Sequence, residues 1–102
     1  MRLTATERTT IARAAAAVFG SDVRVLLFGS RTDDNARGGD IDLFVGGVAA
    51  SALQVQHLRL ALLGRLHDEL GDQRIDLVVQ RADGPVLAIH RAARLTGIDV
   101  TA

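Results

Sequence analysis

Between positions 26 and 43 the chain reads LLFGSRTDDNARGGDIDL, two apolar runs joined by a polar, glycine-bearing connection. This commits it to strand, turn and strand before any other element is placed. Residues 23–28 are rich in branched and aromatic side chains and bounded by Ser-Asp and Gly-Ser, which predicts a buried strand. Residues 31–39 form a polar loop ending in glycine, and residues 40–45 form a second strand ended by Gly46-Gly47. So short a connection suits an antiparallel pair. Alternate strand residues share a face, roughly 6.6 to 6.8 Å apart, so Asp40 and Asp42 are expected to project together, away from Ile41 and Leu43.

The rest of the chain builds around that pair. Thr4 and Glu7 have the spacing of a capping box, and Ile11, Ala14, Ala15 and Val18 recur at helical spacing up to Gly20, which predicts a helix over 4–19. A long helix is expected over 49–70, with Leu53, Leu60, Leu63 and Leu70 on one face and Leu58, Leu62 and Leu66 widening it. Gly71 ends it, and residues 74–80 read as a third strand. Gly84-Pro85 opens a last helix through Leu95, with Gly97 just beyond, and residues 98–100 add a short extended tail. A helix between the second and third strands permits a parallel crossover. The expected fold is α/β (α+β), a small mixed β-sheet with helices packed against it, in a single domain over 1–102.

Asp76, in the third strand, repeats the acid-in-apolar setting of Asp42 and would join the pair if the two strands are neighbours. Each signal alone has an ordinary explanation, because a solvent-facing strand edge often alternates acids with apolar residues. Together they are harder to dismiss. Two like charges about 4 Å apart repel by about 4 kcal/mol at an effective dielectric near 20, so three convergent carboxylates call for a cation among them. Oxygen-only ligands favour Mg2+ or Mn2+ over zinc. Gly29 permits a sharp turn without steric cost, and Ser30 offers a hydroxyl and backbone N–H groups to an anion.

Composition narrows the class. Hydrophobic residues make up 48% of the 102, enough for a core, and the formal net charge of zero lacks the basic footprint of a general nucleic-acid binder. Every basic residue is an arginine, which excludes lysine Schiff-base chemistry, and the absence of cysteine excludes disulfides, thiolate nucleophiles and cysteine-held zinc. The longest apolar run near the N-terminus, residues 14–19, is too short for a signal-peptide core or a membrane span, so a cytoplasmic protein without a membrane partner is expected.

LFGSR, then GGDIDL after a short loop, then RIDLVV resembles the minimal nucleotidyltransferases of the DNA polymerase beta superfamily, over nearly the whole chain. The resemblance implies the polymerase beta-like nucleotidyltransferase fold. It also implies that Gly29 and Ser30 hold nucleotide phosphates, that Asp40 and Asp42 bind divalent metal, and that Asp76 completes the metal site and helps activate the acceptor. Arg31 is placed either to neutralise phosphate or simply to be solvated. The implied reaction is AMP transfer from ATP to an acceptor hydroxyl. Larger members carry acceptor-binding domains; minimal ones are often antitoxins that adenylylate and silence a HEPN ribonuclease toxin, and a hetero-oligomer with such a toxin is the leading expectation. The alternatives are a non-catalytic module that neutralises its partner by occlusion, and transfer to a small-molecule acceptor in a larger assembly. Asp33 and Asp34 are explained by turn formation, and His57 and His67 by a helix surface. His90, Arg91 and Arg94 form a basic cluster on the last helix, expected to be a solvated face unless it meets ATP or a partner.

Overall fold

The computed structural model describes residues 3–29 and 40–100, in the order α1 (Ala5–Phe19), β1 (Arg24–Phe28), β2 (Ile41–Val48), α2 (Ala52–Leu70), β3 (Ile75–Arg81), α3 (Ala88–Thr96) and β4 (Ile98–Asp99). The first helix starts where its capping box requires. The Thr4 hydroxyl accepts from the Glu7 N–H at 3.0 Å, and the Glu7 carboxylate accepts from the Thr4 N–H at 2.9 Å. The second helix begins three residues later than expected, at a second such box between Ser51 and Gln54.

The sheet has the order β3-β2-β1-β4 and is mixed, as expected. β1 runs antiparallel to β2 and to β4, while β2 and β3 are parallel, with α2 crossing between them. Strand periodicity then sorts the side chains. Val25 and Leu27, Ile41, Leu43 and Val45, and Ile75 and Leu77 face α1 and α2 and form the main core with Ile11, Val55, Leu62 and Leu66. On the opposite face Leu26 and Phe44 pack under Ala93 of α3, with Phe28 and Val78 alongside. Arg59 of α2 donates to the Leu77 carbonyl at 2.9 Å, and Arg8 of α1 to the Val100 carbonyl at 3.1 Å. These bonds tie α2 to β3 and α1 to the residue just after β4.

Three expectations need correction. β2 does not stop at Gly46-Gly47 but continues to Val48, with a register shift between Val45 and Val48 where Gly47 takes φ +74°. α3 starts at Ala88 rather than at Gly84-Pro85. The buried face of α2 is Val55, Leu62 and Leu66, whereas Leu53 and Leu60 are 70% and 63% exposed. Two residues amount to roughly 200° around a helix, so Leu60 points away from the core that Leu62 enters. Leucines spread over more than half of the circumference of α2, and packing rather than pattern selects which of them is covered.

Candidate active site

Asp42 and Asp76 are direct register partners across the parallel β2–β3 pair. Each follows a core isoleucine, Ile41 and Ile75, and so points to the opposite face of the sheet, the one that carries α3. α3 covers this face around Leu26 and Phe44 and leaves the acid-bearing end open: Asp76 is exposed and Asp42 half-buried. Asp40 lies one residue before β2, half-buried, rather than within the strand as expected, and its charge still acts on Asp42.

The electrostatics follow from this crowding. The Asp42 carboxyl is pushed up from its ordinary 3.8 to about 6, first by burial, then by the Asp76 charge and the hydrogen bond between the two side chains, and finally by Asp40. Gly29 closes the site from β1. The last residue of β1, Phe28, pairs with Asp42, and Gly29 turns at φ +75° beside it. A Cβ built at Gly29 would overlap the Asp42 carboxylate. Glycine is therefore required twice, for the left-handed backbone and for the space that the carboxylate occupies. Gly29→Ala is expected to cost about 1–3 kcal/mol and to displace Asp42, which urea denaturation and the chemical shift of the Asp42 carboxyl carbon would report.

Of the residues singled out in the sequence, the structure thus brings Gly29, Asp42 and Asp76 together, with Asp40 at the strand entrance. Ser30, Arg31, Asp33 and Asp34 lie outside the described residues. Among the described residues, no group of three or more histidines or acids is gathered closely enough to stand as a metal centre. The donor chemistry nevertheless fits a hard divalent cation: the ligands are all carboxylate oxygens, and the repulsion that lifts Asp42 is what a cation would relieve.

The same face carries a cluster not foreseen from the sequence. The Arg94 guanidinium lies 5.2 Å from the Phe44 ring centre and donates twice to the Gln80 side-chain oxygen, at 3.2 and 2.8 Å. Gly46 leaves room for this, because a Cβ there would press on both Phe44 and Arg94. His90 is not solvated as expected. It is 6% exposed, tilted against Phe44 at 5.9 Å, and its Nδ1 accepts from the Leu87 N–H at 3.1 Å. Gln80, four residues after Asp76 and so on the same face, was the available signal: an amide inside an apolar strand needs a partner.

The fold and site together define a small α+β protein with a four-stranded mixed sheet and an acid pair at one end of its more open face. The chain matches no protein-family model, and no curated protein matches it. Among the described residues no helix is long and apolar enough to cross a membrane.

Proposed function

We propose that the protein is a metal-dependent nucleotidyltransferase that moves AMP from ATP to a hydroxyl of a partner protein. The observation that carries this reading is the juxtaposition of Asp42 and Asp76 in parallel register, with the Asp42 carboxylate filling the space that Gly29 leaves. The motif order around these residues, LFGSR, GGDIDL and RIDLVV, resembles minimal nucleotidyltransferases and supplies the reaction class.

Asp42 and Asp76, with Asp40 beside them, would hold Mg2+ or Mn2+. When bound, such a cation stabilises charge on phosphate and on the attacking oxygen. The chain's own groups divide the remaining work by exposure. Asp76 is exposed and can receive the acceptor hydroxyl's proton as that oxygen bonds to the α-phosphorus and the bond to the β-phosphate oxygen breaks, releasing pyrophosphate. Asp42 is half-buried and braced between Gly29 and Asp76, which suits it to hold a cation in a fixed position. Gly29 turns beside the carboxylates, and the resemblance assigns the phosphates to it and to Ser30 and Arg31, which follow it in the sequence. A HEPN-type toxin encoded beside this chain is the acceptor that the resemblance suggests.

ATP labelled at the α-phosphate, incubated with magnesium, the protein and the neighbouring gene's product, is expected to label that product. Toxin neutralisation that persists in Asp42→Ala without label transfer would assign occlusion instead. Magnesium with ATP at about 100 times the dissociation constant should also stabilise the protein by about 2.7 kcal/mol; an unchanged melting curve at millimolar ligand would count against a nucleotide site.

A further inference from the structure

All three helices begin with the same bond, in which the side chain three residues into the helix accepts from the backbone N–H of the residue before it. In α1 the acceptor is the Glu7 carboxylate, at 2.9 Å from the Thr4 nitrogen; in α2 it is the Gln54 amide oxygen, at 2.9 Å from the Ser51 nitrogen. In α3 it is the Nδ1 of His90, at 3.1 Å from the Leu87 nitrogen. The third case differs in two respects. Leu87 has no side-chain oxygen to return the bond, so the side-chain cap of α3 rests on His90. Moreover, an imidazole nitrogen accepts only while unprotonated, and imidazole is the side chain whose charge changes near neutral pH.

We propose that His90 makes the seating of α3 on the acid-bearing face of the sheet sensitive to pH, firm when the ring is neutral and loosened when it takes a proton. Protonation places a hydrogen on Nδ1, so two donors face each other where one bond stood. It also puts a cation on a buried ring, against the Phe44 ring that the exposed Arg94 guanidinium already contacts. The surroundings offer this cation little. Arg91 and Arg94 lie on its own helix, and Asp83 lies in the segment leading into it. The strands beneath contribute Leu26, Phe28, Phe44, Val78 and Gln80. Among the described residues, the charged groups on that face are Asp40, Asp42 and Asp76 at one end and the Arg24–Asp99 pair at the other. Loosening α3 would uncover Phe44, two residues along β2 from Asp42.

Amide-exchange protection, corrected for intrinsic rates, tests this in the whole protein. Between pH 7.5 and 5.0, protection over α3 is expected to fall about fivefold, the equivalent of losing a cap of ~1 kcal/mol, while α1 and α2 hold. In His90→Gln, which installs the acceptor that α2 already uses, α3 is expected to stay protected across the range. Unchanged α3 protection in the wild type, the same fall in His90→Gln, or an equal fall in α1 and α2 would each overturn the proposal. Should His90→Gln fail to fold, nitrogen-15 spectra of the wild-type ring decide it. A bare Nδ1 at pH 7.5 that gains its proton as the Leu87 amide resonance moves supports the switch, and a protonated Nδ1 at pH 7.5 refutes it. None of these readings depends on nucleotidyl transfer.

Discussion

Asp42→Asn is expected to yield a protein that is more stable than the wild type and unable to transfer nucleotide. The folded protein holds a proton on Asp42 up to about pH 6, whereas the unfolded chain releases it near 3.8. Between those values the folded state binds more protons, so stability falls as pH rises through the window and the cost is fully present above it. With allowance for solvent screening at this half-buried carboxyl, the cost at pH 7.5 is about 1–2 kcal/mol. Asparagine removes the charge, keeps the volume and can donate to Asp76. A rise in Tm of about 5 °C at pH 7.5, shrinking to nothing by pH 4, is the expected signature in thermal melts. Activity should move the other way. Loss of an outer-sphere partner costs a metal site roughly 10–100-fold, and loss of a ligand should exceed that in a label-transfer assay. A variant less stable than wild type at pH 7.5 would show that Asp42 is not strained by its neighbours.

Phe44→Ala has the largest expected effect on folding. The ring is fully buried between Leu26 and Ala93, with Arg94 and His90 packed on it. Removing a buried phenylalanine side chain costs about 3–5 kcal/mol, a large share of the roughly 5–15 kcal/mol that holds a domain together. Urea denaturation should show a correspondingly lower midpoint, with α3 losing exchange protection before α1 or α2. Phe44→Leu fills most of the space without an aromatic face and is expected to cost under about 2 kcal/mol. Equal losses for the two variants would mean that ring-specific contacts, rather than volume, seat α3.

Local chemistry made much of this molecule legible in the sequence. The Thr4–Glu7 box marks the start of α1, and the connection lengths distinguish the antiparallel β1–β2 pair from the parallel β2–β3 pair. The site was legible for the same reason, because strand parity puts Asp42 and Asp76 on one face once β2 and β3 are neighbours. The misreadings share a cause: each turns on packing that local pattern does not report. Gly46 looks like a strand terminator until Arg94 is seen lying against it. His90 looks like a surface base until Phe44 and the Leu87 N–H are found beside it. Leu53 and Leu60 look like core until Val55 and Leu62 take that role.

The two facing acids lie on opposite sides of α2 in the chain, in the one strand pair that runs parallel. Closing so long a segment costs entropy before any pairing rewards it, which makes such contacts slow to form. The acid pair therefore cannot assemble in a half-made chain, and a nascent polypeptide that stalls before β3 is complete has no Asp76 to set beside Asp42.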